Sequence, residues 1–200
     1  MSAVSERVAG NVYDKYGTGN PVVRRLMRGF FAALDDLVAQ AAPAELLEVG
    51  CGEGVVTQRL AARVPRVTGL DLDIPALRTA WDAREGIEFV AGDARALPFD
   101  DGAFDTVALI ESLQLIDDAD RALAEAARVA RGRVLVTVPR EPLWRALNVA
   151  RGAYLRRLGD TPGHVHHWSR RGLVRLLATH GEVVAVRSPL PWTLALVATR

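Results

Sequence analysis

Two hundred residues, half of them hydrophobic, suit a single domain (1–200) with a sizeable buried core, and no internal repeat or low-complexity linker divides them. A formal charge of +1 gives no basis for general nucleic-acid affinity, and the presence of only one lysine, Lys15, among 25 basic residues reads as genomic base composition rather than function. The single cysteine, Cys51, excludes an intrachain disulfide and a cysteine-rich metal site. With no apolar run of about 18 residues and no signal-like apolar core at the N-terminus, a cytoplasmic protein without a transmembrane segment is expected.

Residues 1–20 are polar and irregular, with Tyr13, Tyr16, Gly17 and Gly19 ahead of Pro21. Residues 22–41 carry Val23, Leu26, Met27, Phe30, Phe31, Leu34, Leu37 and Val38 at helical spacing, an amphipathic helix. Strands and helices then alternate: strand 45–50, helix 54–63, strand 66–71, helix 75–84, strands 87–90 and 104–110, helix 118–130, strand 133–138. Such alternation predicts right-handed βαβ units and a parallel sheet covered on both faces. Val183–Arg187 and Trp192–Thr199 supply a final pair of strands around Ser188-Pro189-Leu190-Pro191.

The stretch Leu46-Leu-Glu-Val-Gly-Cys-Gly-Glu-Gly54 runs an apolar strand into three glycines at alternate positions. Glycine allows a sharp turn and leaves no Cβ to block a ligand. The spacing is G-x-G-x-G at Gly50, Gly52 and Gly54, not the G-x-G-x-x-G of a dinucleotide fingerprint, and no Gly-Lys-Ser/Thr of a P-loop follows. Glu48 would repel a pyrophosphate and attract an ammonium group. Asp71, 21 residues after Gly50, ends the next strand where a carboxylate can grip a ribose diol. Asp73, before Ile74-Pro75, is expected to cap the following helix. A third strand leads to Asp93-Ala94 and Leu97-Pro98-Phe99, and Gly102–Ile110 and Arg128–Pro139 complete the order.

These five motifs, in this order over residues 46–139, resemble those of the class I S-adenosylmethionine-dependent methyltransferases, of the small-molecule type called methyltransferase type 11. The resemblance implies a Rossmann-like, seven-stranded, mostly parallel sheet with an antiparallel last strand, helices on both faces, and S-adenosylmethionine as cofactor. By this resemblance Glu48 helps hold the methionine amino group, Gly50, Cys51, Gly52 and Gly54 form the cofactor loop, and Asp71 with Leu72 meets the ribose. Asp93 would accept from the adenine exocyclic amine and the Ala94 N–H would reach a ring nitrogen. Cys51 is read as a small loop residue, not a nucleophile. Residues 1–20 are expected to be a flap, part of an N-terminal flap and helix over 1–41, with Tyr16 against the cofactor sulfonium. The expected reaction is methyl transfer to an oxygen or nitrogen of a small molecule. The alternative is a protein of this fold that binds the cofactor without transferring methyl. A nicotinamide oxidoreductase is disfavoured by the glycine spacing.

The acceptor side is less determined. Glu111, after the fourth strand, departs from the family's usual histidine-bearing or apolar stretch and can touch the methionine moiety, orient the acceptor or act as base. Residues 140–175 hold eight arginines against Glu141 and Asp160, and Leu143, Leu147, Ala150, Tyr154 and Leu158 lie at helical spacing beside Trp144. This is expected to be a lid-like insertion, 140–168, whose stripe packs on the core, with a membrane-surface helix as the alternative. Its arginines suit an anionic or lipid-linked acceptor. Three of the four histidines, His164, His166 and His167, fall just before Ser169, the expected N-cap of the last helix. One nearby acid and no nearby cysteine argue against a metal, so none is expected, and His166 or His167 is the candidate general base.

Overall fold

The computed structural model describes residues 19–199. Helix α1 (Pro21–Ala41) starts where Asn20 accepts the Val22 N–H at 2.9 Å through its side chain, and Pro21 takes the first helical position, where no N–H is needed. Strands β1 (Glu45–Val49), β2 (Arg66–Asp71), β3 (Glu88–Ala91), β4 (Phe104–Ile110), β5 (Ala130–Pro139), β6 (Glu182–Arg187) and β7 (Trp192–Ala198) form one sheet in the order β3-β2-β1-β4-β5-β7-β6. The neighbours among β1 to β5 are parallel, and β7 runs antiparallel to both β5 and β6. Helices α2 (Val55–Ala61), α3 (Pro75–Asp82), α4 (Ala119–Val129), α5 (Leu143–Ala150) and α6 (Arg170–Leu177) complete the layers.

Alternation along β4 explains the two cores. Val107 and Leu109 point into one, with Leu123, Ala126 and Val129 of α4 and Leu173 and Leu177 of α6. Ala108 and Ile110 point into the other, with Phe30, Leu34 and Leu37 of α1 and Leu60 of α2. The expected three-layer sheet with an antiparallel last strand is what the chain forms. Strand order reverses between β1 and β4, so the carboxyl ends of β1, β2 and β4 open onto a crevice where ligands of such sheets bind. Among the described residues no helix is long and apolar enough to cross a membrane.

Two sequence motifs prove to be braces for this frame. The Asp105 carboxylate accepts the Ala44 and Glu45 N–H groups at 3.0 and 3.1 Å, tying the start of β1 to β4. Glu125 accepts the Leu97 N–H at 2.9 Å, while Arg128 donates to Glu125 and to the Leu97 and Phe99 carbonyls, which fixes the chain after Asp93-Ala94.

Three expectations need correction. Asp73 does not cap α3, whose N-cap is Ile74; its carboxylate is drawn instead to the Arg78 guanidinium, 2.8 Å from Nη2. The insertion is no continuous stripe: α5 ends at Ala150, and Tyr154 and Leu158 adopt left-handed backbone around a 3₁₀ turn, Leu155–Arg157. The one fully buried residue of α5 is polar, with Trp144 partly buried against the core a turn earlier. Asn148 is buried because its amide donates to the Gly159 carbonyl at 2.8 Å, whereas Leu147 and Leu158 face outward, Leu158 at 72% exposure. Finally, β5 begins at Ala130, because Ala130 pairs with Phe104 ahead of a register irregularity.

Candidate functional site

The turn after β1 takes its shape from two glycines. Gly50 has φ 76°, and a Cβ there would collide with the Ser112 side chain, whose hydroxyl donates to the Val49 carbonyl at 2.7 Å. Gly54, also at φ 76°, would place a Cβ 2.7 Å from the Phe89 ring. Both positions require positive φ and bare space. The turn is pinned from beneath: Gly50 and Cys51 donate to the Leu70 carbonyl at 2.7 and 3.1 Å, and the Trp81 indole donates to the Gly52 carbonyl at 2.8 Å.

Two acids meet at this edge. Glu48 is 1% exposed and accepts from the Thr57 hydroxyl at 2.6 Å. Burial pushes its carboxyl from 4.5 up to about 8, the Thr57 bond opposes that, and the Asp71 charge adds to it. Asp71 accepts the Gly52 N–H at 2.6 Å and the Leu72 N–H at 2.7 Å. Its carboxyl is also raised by burial, against the lowering of those two amides. Neither acid has an arginine partner among the described residues, in a chain rich in arginine. A carboxylate with two amide donors keeps acceptor capacity for hydroxyls. Cys51 is buried, and burial first, then Glu48 and Asp71, push its thiol well above the ordinary range, so it stays protonated and is not a nucleophile.

Asp93 stands apart. Arg95 holds its carboxylate through Nη2 at 2.7 Å and the backbone N–H at 2.8 Å, and that guanidinium keeps the carboxyl below its usual range. Ala94 follows at the carboxyl end of β3. Tyr13 and Tyr16, the aromatic residues of the expected flap, lie outside the described residues.

On the acceptor side, Glu111 follows β4 with φ 57°, a conformation that costs a non-glycine residue energy. Its N–H donates to the Thr137 carbonyl and hydroxyl at 3.1 and 3.0 Å, and its carboxylate accepts from the Trp192 indole at 2.9 Å. The histidine segment separates in two directions. Val165 and His166 donate their N–H groups to the Gln114 carbonyl at 2.9 and 3.3 Å, and His166 Nε2 lies 3.0 Å from the Asp117 carbonyl. A carbonyl accepts only, so neutral His166 carries its proton on Nε2 and presents a basic Nδ1. His164 and His167 lie instead beside Asp160, with His167 Nε2 2.6 Å from Asp160 Oδ1. The sequence reading missed Thr57, Ser112, Thr137 and Trp192 as partners. Only Thr57, on the first helix after the turn, stands near its partner in the chain.

Residues 47–136 match the family model described as methyltransferase domain. The chain belongs to the class I methyltransferases. A demethylmenaquinone methyltransferase of Roseiflexus castenholzii is 35% identical over 150 residues, 70% of this chain and 63% of that relative. The chain thus spans less than two thirds of the length of the first curated relatives it matches. A solved protein of Pyrococcus horikoshii superposes with TM-score 0.71 at 18% identity, over 94% of this chain and 97% of its own. The [4+2]-cyclase SpnF superposes with TM-score 0.65 at 18% identity, over 94% of this chain and 84% of its own, so the methyltransferase fold also carries other chemistry.

Proposed function

We propose that this methyltransferase chain moves the methyl group of S-adenosylmethionine to an oxygen or nitrogen of a small molecule. The observation that carries the reading is the pair of acids, buried Glu48 and half-buried Asp71, without arginine partners among the described residues, flanking a turn shaped by glycines at positive φ. That donor set fits the cofactor. A neutralising ammonium group relieves the cost of charging Glu48, and Asp71 retains lone pairs for a diol. The loop of Gly50, Cys51, Gly52 and Gly54 would meet the methionine moiety, with open space at Gly52, and Leu72 would border the ribose; Tyr16, expected against the sulfonium, lies outside the described residues. Ala94 would receive the adenine ring edge. Asp93 would receive the exocyclic amine, sharing its carboxylate with Arg95.

When bound, the cofactor supplies a methyl group already activated as a sulfonium. The residues of the chain therefore act mainly by alignment and exclusion of water. His166, with Nδ1 basic, is the preferred acceptor-side base; Glu111, held by Trp192, is the next, and His167 is committed to Asp160. The 140–168 insertion bounds the acceptor side, because its Val165-His166 segment docks on Gln114. Its arginines favour an anionic acceptor or an acceptor presented by an anionic lipid surface.

Calorimetry with S-adenosylmethionine, with NAD as comparison, tests the cofactor. Firm binding of the first is expected, and binding of NAD alone would overturn the reading. A second reading, cofactor binding without methyl transfer, draws on the cyclase that shares the fold. Formation of S-adenosylhomocysteine on adding acceptor candidates, followed by mass spectrometry, separates the two.

A further inference from the structure

The loop after the 3₁₀ turn of the insertion brings together three metal-ligating side chains that the methyl-transfer site does not use. One ligand atom each from Asp160, His164 and His167 lie within 4.8 Å of one another. We propose that these three residues bind a single divalent transition ion of the zinc class. No metal is expected from the sequence, where only one acid and no cysteine stand near the histidines. Left-handed backbone at Leu158 and Gly159 turns the chain so that this one acid meets two of them.

The donor chemistry selects the ion. Two imidazoles and one carboxylate suit zinc and its neighbours, whereas calcium and magnesium demand oxygen ligands. Around zinc, at about 2.0–2.1 Å from each ligand, tetrahedral ligand atoms stand about 3.3 Å apart. His167 Nε2 and Asp160 Oδ1, at 2.6 Å, need only open slightly, and the remaining ligand atoms close by no more than about 1.5 Å. The ion has access, since Asp160 and His164 are half-buried and His167 is exposed.

The loop is also braced as ligand-bearing loops are. The Asn148 amide donates to the Gly159 carbonyl at 2.8 Å and to the Thr161 hydroxyl at 3.2 Å, and the Trp144 indole donates to the same hydroxyl at 2.9 Å. Gly159 lies so close to the Arg145 carbonyl that no Cβ fits there. A second, independent sign is Glu141. It is buried, its Oε1 has no hydrogen-bond partner among the described residues, and its carboxyl interacts electrostatically with both His167 and Asp160. A cation at the cluster adds to the positive charge that Arg145 already brings near this carboxyl. Because the ligands bracket Val165 and His166, the ion would also fix the segment that docks on Gln114.

The test uses tag-free, chelator-stripped protein titrated with zinc chloride in a calorimeter. One equivalent per chain is expected, with a rise in thermal midpoint and slower amide exchange at Val165 and His166. Magnesium should give no heat. His164→Ala and His167→Ala should each weaken zinc at least about 10-fold, while His180→Ala, away from the cluster, leaves it unchanged. Where an alanine variant does not fold, Asp160→Asn asks the same question, since Asn can still hydrogen-bond His167. Absence of zinc uptake by the wild-type chain, or unchanged affinity in Asp160→Asn, would overturn the site.

Discussion

Glu48→Gln should make the protein more stable in alkali and poorer at holding a cation. The wild-type carboxyl is pushed by burial from 4.5 to about 8. Between those values the folded chain holds a proton that the unfolded chain has released. Unfolded protein binding fewer protons means that stability falls as pH rises from about 4.5 to about 8, and is flat beyond. At about 1.4 kcal/mol for each tenfold change in proton affinity, the whole displacement is worth at most about 5 kcal/mol. Glutamine has nearly the same shape and can still accept from the Thr57 hydroxyl, so the packing is retained while the titration is removed. Variant and wild type should therefore be close in stability at pH 5 and separate by about 2–5 kcal/mol at pH 9, with the variant the more stable. Asp71 and Glu141, also raised by burial, titrate in both proteins and drop out of the difference. Urea unfolding from pH 5 to pH 9 measures it. The same substitution should weaken S-adenosylmethionine by about 1.5–3 kcal/mol, the worth of a bond to a charged group. A stability difference that does not change with pH would refute the buried, neutral carboxyl on which the stability expectation rests.

Asp71→Ala should cost about 1.5–3 kcal/mol of cofactor affinity by calorimetry, with the fold retained by circular dichroism. Gly50→Ala should lower stability in urea by more than about 1 kcal/mol, since it adds strain at positive φ to a collision with Ser112. His166→Ala should reduce turnover by about 10²–10⁴ at neutral pH with cofactor affinity intact, whereas His167→Ala should spare turnover when zinc is absent; the reverse ranking would move the base to the Asp160 pair. Glu125→Ala should destabilise the chain most at neutral pH. The Arg128 guanidinium holds the Glu125 carboxyl below its ordinary 4.5, so its contribution is present above about pH 4.5 and fades as pH falls through its lowered value, an acid-side loss that wild type shows and the variant lacks.

The sheet was readable because β1, β2 and β4 are short, mostly apolar segments followed by chemically distinctive residues. Their contacts need no long-range information to be recognised. The expected fifth strand, 133–138, is extended back to Ala130, which pairs with Phe104 before a register irregularity, and pairing resumes at Arg133 and Thr106. Residues of the cofactor edge were legible because glycine spacing and strand-end acids are local signals. The acceptor side was not, since Glu111 is fixed by Thr137, 26 residues on, and by Trp192, 81 residues on. In α5 the periodicity of Leu143, Leu147 and Ala150 pointed inward on hydrophobicity alone. The inward face instead carries Trp144, packed against the core, and Asn148, whose amide donates to the Gly159 carbonyl. The Asp160 cluster depends on left-handed backbone at Leu158, which no propensity favours.

The position of β7 bears on how the chain is made. It lies between β5 and β6, so a strand synthesised after both is interior and β6 is the margin. On the ribosome β5 therefore waits with an open, apolar hydrogen-bonding edge until Trp192–Ala198 emerges. Leu194, Ala195 and Leu196 are almost wholly buried and reach both cores, so neither core is complete before then. Completion of both cores is expected to wait for residues 192–198, and release of a chain stopped before residue 192 should yield an aggregating species.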